Sequence, residues 1–188
     1  HENTDERAFL WSQPVPRAVY VLGKTATLVG ALATVLIAAV GAAAVGGASV
    51  GTLALLWGLG VALVLVSVSA GVTVGQYTTG RARGLMAALV LWFGAFALYD
   101  TVALALSGVS FVQGLPALWV GLLLINPVDA VRLAGLFGLE NVPFSTPGEA
   151  AWMAELTAWL PAWVALLTVL WTGLLLGLAC RRLRHLDL

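Results

Sequence analysis

The sequence predicts an all-α fold, a polytopic transmembrane helix bundle of four spans plus a re-entrant external hairpin. Composition is the first observation behind that reading. Of 188 residues, 61% are hydrophobic and 10% are charged, nine basic against nine acidic, whereas an ordinary soluble domain is about 25% charged. The second is where the charges fall. None lies between Lys24 and Arg81, none from Leu156 to Cys180, and only Asp100 between Gly84 and Val128. A helix on a soluble core needs a polar face for water, and these stretches lack one. A soluble enzyme, a nucleic-acid binder and a disordered chain are excluded on these grounds. The net charge of zero offers nothing to an anionic partner, and the single Cys180 forbids an internal disulfide. His1 and His185 sit at opposite ends, so His and Cys alone assemble no metal site.

Each span follows from the length needed to cross roughly 30 Å of hydrocarbon, about 20 residues at 1.5 Å each. Two spans fit in the first uncharged run, at 19–46 and 51–77, with Gly46-Gly47-Ala48-Ser49 breaking it near the middle. Gly80-Arg81-Ala82-Arg83-Gly84 reads as a tight basic turn into a third span at 85–107, and Pro116 ends any continuation. The last span, 159–180, stops at Arg181-Arg182-Leu183-Arg184. Gly71-x-x-x-Gly75 and Gly173-x-x-x-Gly177 put small residues one turn apart, a spacing that suits close helix packing.

Between the third and last spans the apolar run Leu115–Ile125 is long enough for only about half the bilayer. Asn126-Pro127-Val128-Asp129 then reads as a helix start: Asn as N-cap, Pro at the first position, Asp near the positive end of the dipole. The helix it opens carries Asp129 and Arg132 one turn apart, in reach of one another. Residues 115–138 are either a kinked fifth span or a re-entrant hairpin. The distribution of basic residues favours the hairpin. It puts Arg7, Arg17, Lys24, Arg81, Arg83, Arg181, Arg182 and Arg184 on one side, the cytoplasm, and only Arg132 elsewhere. A full span would move the Arg-rich C-terminus outside. Both ends of the chain are therefore expected in the cytoplasm, with Thr146-Pro147-Gly148-Glu149 capping a short external helix at 147–158 and Trp152 and Trp159 at interface height.

The motifs then become recognisable in order. Phe9-Leu10-Trp11-Ser12-Gln13-Pro14-Val15-Pro16-Arg17 precedes Tyr20-Val21-Leu22-Gly23-Lys24 and a long apolar helix. Leu98-Tyr99-Asp100 follows late in the third span, then Leu124-Ile125-Asn126-Pro127-Val128-Asp129-Ala130-Val131-Arg132-Leu133, then a basic C-terminus. This series resembles the permeases of type-2 ABC exporters, most closely the NosY-like branch that serves nitrous-oxide reductase maturation. Such permeases have six spans with both ends inside and a re-entrant hairpin between the fifth and sixth. The resemblance thus implies that the four spans are spans three to six, and that 188 residues are the C-terminal two thirds of a longer protein. Two departures stand beside it: the family's Gly-Thr pair reads Asp5-Glu6 here, and the family's first two spans have no counterpart.

The resemblance also implies partners. Residues 1–17 would be a cytoplasmic coupling helix docking on an ABC ATPase subunit, through Glu6, Arg7, Phe9, Leu10, Gln13, Pro14 and Arg17. From the residues alone, Asn3–Trp11 reads rather as an amphipathic helix lying on the membrane with Trp11 as anchor, and it is the resemblance that favours docking. Further implied partners are a second permease copy, membrane lipid and an extracytoplasmic assembly factor, with no nucleic acid. No cofactor or metal is expected on this chain, while ATP and Mg belong to the partner ATPase.

Few side chains are left to carry chemistry. Asp100, with Tyr99 beside it, is an ionisable group inside a long span and must face protein or water. It suits a substrate or proton site, or a structural contact with Tyr99, Thr101 or Arg132. Asn126, Pro127, Asp129 and Arg132 suit a lock on the hairpin better than a substrate contact. The sequence contains no P-loop, no Gly-x-Ser-x-Gly and no His-Glu-x-x-His, so the chain is expected to be no enzyme. The expectation is a transport subunit of the cell membrane that moves a small substrate, powered by a separate ATPase. The alternative is a non-transporting membrane scaffold that anchors or assembles a partner enzyme.

Overall fold

A computed structural model describes residues 17–113, 116–139 and 147–184, and every element among them is helical. The order is α1 (Arg17–Val45), α2 (Val50–Tyr77), then α3, a rod made of Arg81–Phe93, a π-helical turn at Gly94–Leu98, and Tyr99–Ser107. A short α4 (Ser110–Gln113) leads to α5 (Pro116–Leu123) and α6 (Pro127–Leu139), and α7 (Pro147–Arg184) closes the chain. Among the described residues four stretches are long and apolar enough to cross a membrane: Ala18–Val45, Val50–Tyr77, Arg81–Leu106 and Ala154–Leu183. The protein is membrane-embedded. At 1.5 Å per residue the 28 residues of α2 reach about 42 Å, more than the roughly 30 Å of hydrocarbon.

Local chemistry sets the breaks. Gly47 ends α1 with a φ of 84°, a left-handed position that favours glycine. Ser49 then caps α2, its Oγ accepting from the Thr52 N–H at 3.2 Å. The turn into α3 comes earlier than the basic segment suggests. It is made by Thr78–Gly80, and Arg81 already opens the helix, so α3 begins four residues before the expected 85.

The end of the chain differs more. The external helix expected at 147–158 and the span expected at 159–180 are one continuous helix of 38 residues. Pro161 lies inside it. Proline removes a single backbone donor, and a helix held by neighbours in an apolar setting accommodates that loss. Pro116, expected only as a stop, takes the first position of α5, where its missing N–H costs nothing.

Packing builds two cores about α2. Ala62, Ala130, Val131, Ala134, Leu160, Val164 and Leu167 join α2, α6 and α7, while Val21, Val68, Val72, Ala179 and Leu183 join α1, α2 and α7. Helices α2 and α7 run parallel, since Ala62 packs with Leu160 and Val164 at one end and Thr73 Oγ1 donates to the Leu175 carbonyl (2.8 Å) further along. Helix α1 runs antiparallel to α2, with Leu36 against Gly60 and Val21 against Val68. Helix α3 is peripheral, touching α2 with its first half and α5 and α6 with its second. Large apolar side chains such as Val35, Ile37, Leu89, Trp92, Val169 and Leu170 point outward, a costly arrangement in water and an ordinary one in lipid.

Close helix approach occurs where the sequence spacing does not point. A Cβ at Gly60 would collide with Leu36, and one at Gly138 with Leu55. Gly71, Gly75, Gly173 and Gly177 face open space within the chain, so the two small-residue pairs do not line an internal contact.

Candidate functional site

The polar side chains collect where α5 hands over to α6. Residues 124–126 leave the helix there, and non-helical backbone inside an apolar bundle must find partners for its N–H and C=O groups. It finds them in three directions. Tyr99 OH on α3 donates to the Leu122 carbonyl, Trp163 Nε1 on α7 donates to the Leu124 carbonyl at 2.9 Å, and Asn126 anchors the rest. Its Oδ1 accepts from the Val128 N–H (3.1 Å), the N-cap bond expected from Asn-Pro-Val-Asp. Its Nδ2 donates to the Ala95 carbonyl at 2.7 Å and to Asp129 Oδ2 at 2.8 Å. Ala95 lies within the π-helical turn of α3, a local departure from the i→i+4 pattern of the rest of the rod.

These contacts fix the level of the turn along the spans. Ala95 is 11 residues short of Leu106, about 17 Å along α3. Ala62, which packs against the first turns of α6, is 12 residues from Val50, about 18 Å along α2. Helix α6 then climbs antiparallel to α2, Gly135 facing Leu59 and Gly138 facing Leu55.

One turn beyond Asn126 stands a charged triad. Arg132 Nη1 is 2.5 Å from Asp100 Oδ2 and 3.5 Å from Asp129 Oδ1. The exposures differ sharply. The Asp129 residue is 2% exposed, while the side chains of Arg132 and Asp100 are 47% and 40% exposed. An ion pair open on one side is tolerable inside a membrane only where that side meets water or protein, not lipid tails. Two carboxylates and one guanidinium leave the group one negative charge in excess.

An apolar groove of about 420 Å³ runs between α2 and α7, lined by Leu55, Leu59, Ala62, Pro161, Val164 and Thr168 among others, with no residue of the triad in its wall. The Thr168 hydroxyl donates to the Val164 carbonyl (2.7 Å) within α7, so the groove offers a ligand little polar contact. Among the described residues no group of His, Cys, Asp and Glu is arranged to hold a metal ion.

The fold brings together Tyr99, Asp100, Asn126, Pro127, Asp129 and Arg132, all six singled out from the sequence. Of the three partners open to Asp100 it takes Arg132; Tyr99 bonds Leu122 and Thr101 Oγ1 donates to the Ala97 carbonyl. Glu6, Arg7, Phe9, Leu10, Gln13 and Pro14 lie outside the described residues, and Arg17 is the first residue of α1. Thr146 lies outside them too, while Trp159 is exposed on α7. Sequence reasoning missed Trp163, which closes the turn, and the π-helical turn that receives Asn126. An indole two residues after Pro161 was the one signal available. Comparison with protein-family models, curated proteins and solved structures yields no match for the chain.

Proposed function

We propose that this chain is the transmembrane permease subunit of an ABC transporter, moving a small substrate across the cell membrane with energy from a separate ATPase. In this reading α5 and α6 form a re-entrant hairpin that enters from outside and turns back near mid-depth. The observation that carries the reading is the direction of α6. It starts level with Ala62 and Ala95 and climbs back along α2 towards Leu55, as the permease resemblance leads one to expect. The clustering of Lys24, Arg81, Arg83, Arg181 and Arg182 at the start of α1, the start of α3 and the end of α7 supports a cytoplasmic location for that face. Residues 1–17 are proposed to dock on the ATPase, two permeases pair with two ATPases, and the nitrous-oxide reductase maturation system is the proposed setting.

The direct test is co-expression with the candidate ATPase subunit. Co-purification, with ATP turnover that changes several-fold when the permease is present, is the expected result. Charge reversal at Glu6 and Arg7 should abolish co-purification while leaving the permease in the membrane. Turnover indifferent to the permease would favour the scaffold reading, and co-purification unaffected by charge reversal would favour a membrane-surface role for residues 1–17.

A further inference from the structure

We infer that Arg81, Arg83 and Arg182 form a seat for the headgroup of an anionic phospholipid, built around the turn from α2 into α3. Two contacts assemble it. The Tyr77 hydroxyl at the end of α2 donates to the Leu178 carbonyl of α7 at 3.4 Å, which sets the two helix ends level. The Arg182 guanidinium then lies over the Tyr77 ring, its Cζ 5.6 Å from the centroid. Only Thr78, Thr79 and Gly80 separate Tyr77 from Arg81, at most about 14 Å of chain. Gly80, with a φ of 90°, reverses it. Arginines from α3 and α7 thus stand around one short turn.

Depth selects a lipid as the partner. Tyr77 ends one membrane-crossing stretch, Arg81 opens the next, and Arg182 is the last residue but one of Ala154–Leu183. These side chains therefore stand where hydrocarbon gives way to headgroups, the level at which tyrosine and arginine anchor. A soluble acidic protein would have to reach down to that level, whereas lipid phosphate is already there. Charge selects the headgroup. The sequence has no acid between Glu6 and Asp100, nor between Glu155 and Asp187, so α1, α2, the first half of α3 and the end of α7 bring no counter-ion. Among the described residues the ion pairs involve Arg132 and none of these three arginines. Arg81 and Arg83 are exposed, and Arg83 spends one donor on a long 3.5 Å contact with Thr79 Oγ1. The Tyr77 ring holds the Arg182 guanidinium through its face, which leaves N–H groups at the guanidinium edge for phosphate oxygens. Three cations without an acid favour a headgroup of net negative charge over a zwitterionic one. The inference depends on membrane embedding and not on transport, so it stands or falls apart from the permease reading.

The test is native mass spectrometry of the full chain from detergent, titrated with phosphatidylglycerol or with phosphatidylcholine of the same acyl chains. The expected result is one phosphatidylglycerol retained at least about tenfold more tightly than phosphatidylcholine. An arginine beside a charged headgroup contributes about fivefold. Arg182→Gln should therefore weaken phosphatidylglycerol by about fivefold, and Arg81→Gln with Arg83→Gln by about 25-fold. Lys24→Gln removes a charge at the same end of the bundle but on α1. Val21 packs level with Val68 and Val72, so Lys24 lies further into its span than the turn, and its loss should change the affinity by less than about twofold. Equal retention of the two lipids by the wild-type protein overturns the proposal, whether or not any variant folds. Equal losses in Lys24→Gln and Arg182→Gln overturn it too, because the attraction would then be the diffuse field of the basic face. Displacement of the lipid by millimolar inorganic phosphate would make the ligand a soluble anion and overturns it as well.

Discussion

Arg132 on α6 and Asp100 on α3 lie 32 residues apart in sequence, and their side chains meet with Nη1 2.5 Å from Oδ2. The pair ties the second half of α3 to the rest of the bundle. It does so alongside the Tyr99–Leu122 and Asn126–Ala95 bonds, since α3 leans on α2 only through its first half. Removing either partner leaves the other charged inside the apolar layer, so the two truncations should not add. A double-mutant cycle on Asp100→Asn and Arg132→Ala, read by unfolding in bicelles, should give a coupling of about 1–2 kcal/mol. Additivity within about 0.3 kcal/mol would mean that the pair holds nothing together.

Asn126 is engaged through both ends of its amide, and it sits between α3 and α6. Asn126→Ala would leave the Ala95 carbonyl, the Val128 N–H and Asp129 Oδ2 without these partners. A destabilisation of about 2–3 kcal/mol is expected, the sum of a lost cap and a buried group left unpaired. Asn126→Asp restores the cap but sets a third carboxyl beside Asp129, and should recover less than half of the loss at neutral pH.

Trp163 and Tyr99 close the two carbonyls at the end of α5. Trp163→Phe and Tyr99→Phe keep the ring and delete one donor each, so each should cost about 1 kcal/mol. The more specific readout is hydrogen exchange. Protection of the amides at 123–126 should fall in both variants, while α1, which neither side chain touches through these bonds, should keep its protection.

These predictions draw on residues that differ in how visible they are in sequence. Asn126-Pro127-Val128-Asp129 is legible because N-capping is local: the groups that need partners lie within four residues of the cap. Asp100 and Arg132 are legible for another reason. A charge in an apolar stretch is expensive, and the chain has few with which to neutralise it. The π-helical turn at Gly94–Leu98 is not legible, since its five residues Gly-Ala-Phe-Ala-Leu are as apolar as their neighbours. Trp163 is hidden likewise, because an indole in an apolar helix reads as packing until a carbonyl is seen in front of it. The continuity of α7 through Pro161 reverses a local preference, and neighbouring helices decide it.

Glycine spacing was the least informative signal, because contact depends on what faces each glycine. Gly138→Leu should cost about 1–3 kcal/mol, as overpacking against Leu55 demands. Gly75→Ala, with open space where the Cβ would go, should stay within about 0.5 kcal/mol of the wild type. Thermal unfolding of the two variants in the same detergent is sufficient to compare them.

The central claim is that α5 and α6 enter and leave the membrane on one side, and labelling of single cysteines tests it most directly. In a Cys180→Ser background, Phe111→Cys and Leu139→Cys bracket the hairpin, and Arg83→Cys marks the basic face. A membrane-impermeant maleimide added to sealed, right-side-out vesicles should label Cys at 111 and at 139 and leave 83 unlabelled until the vesicles are opened. Labelling of 111 and 139 from opposite sides would contradict the account, because residues 115–138 would then be a full span and the Arg-rich C-terminus would lie outside.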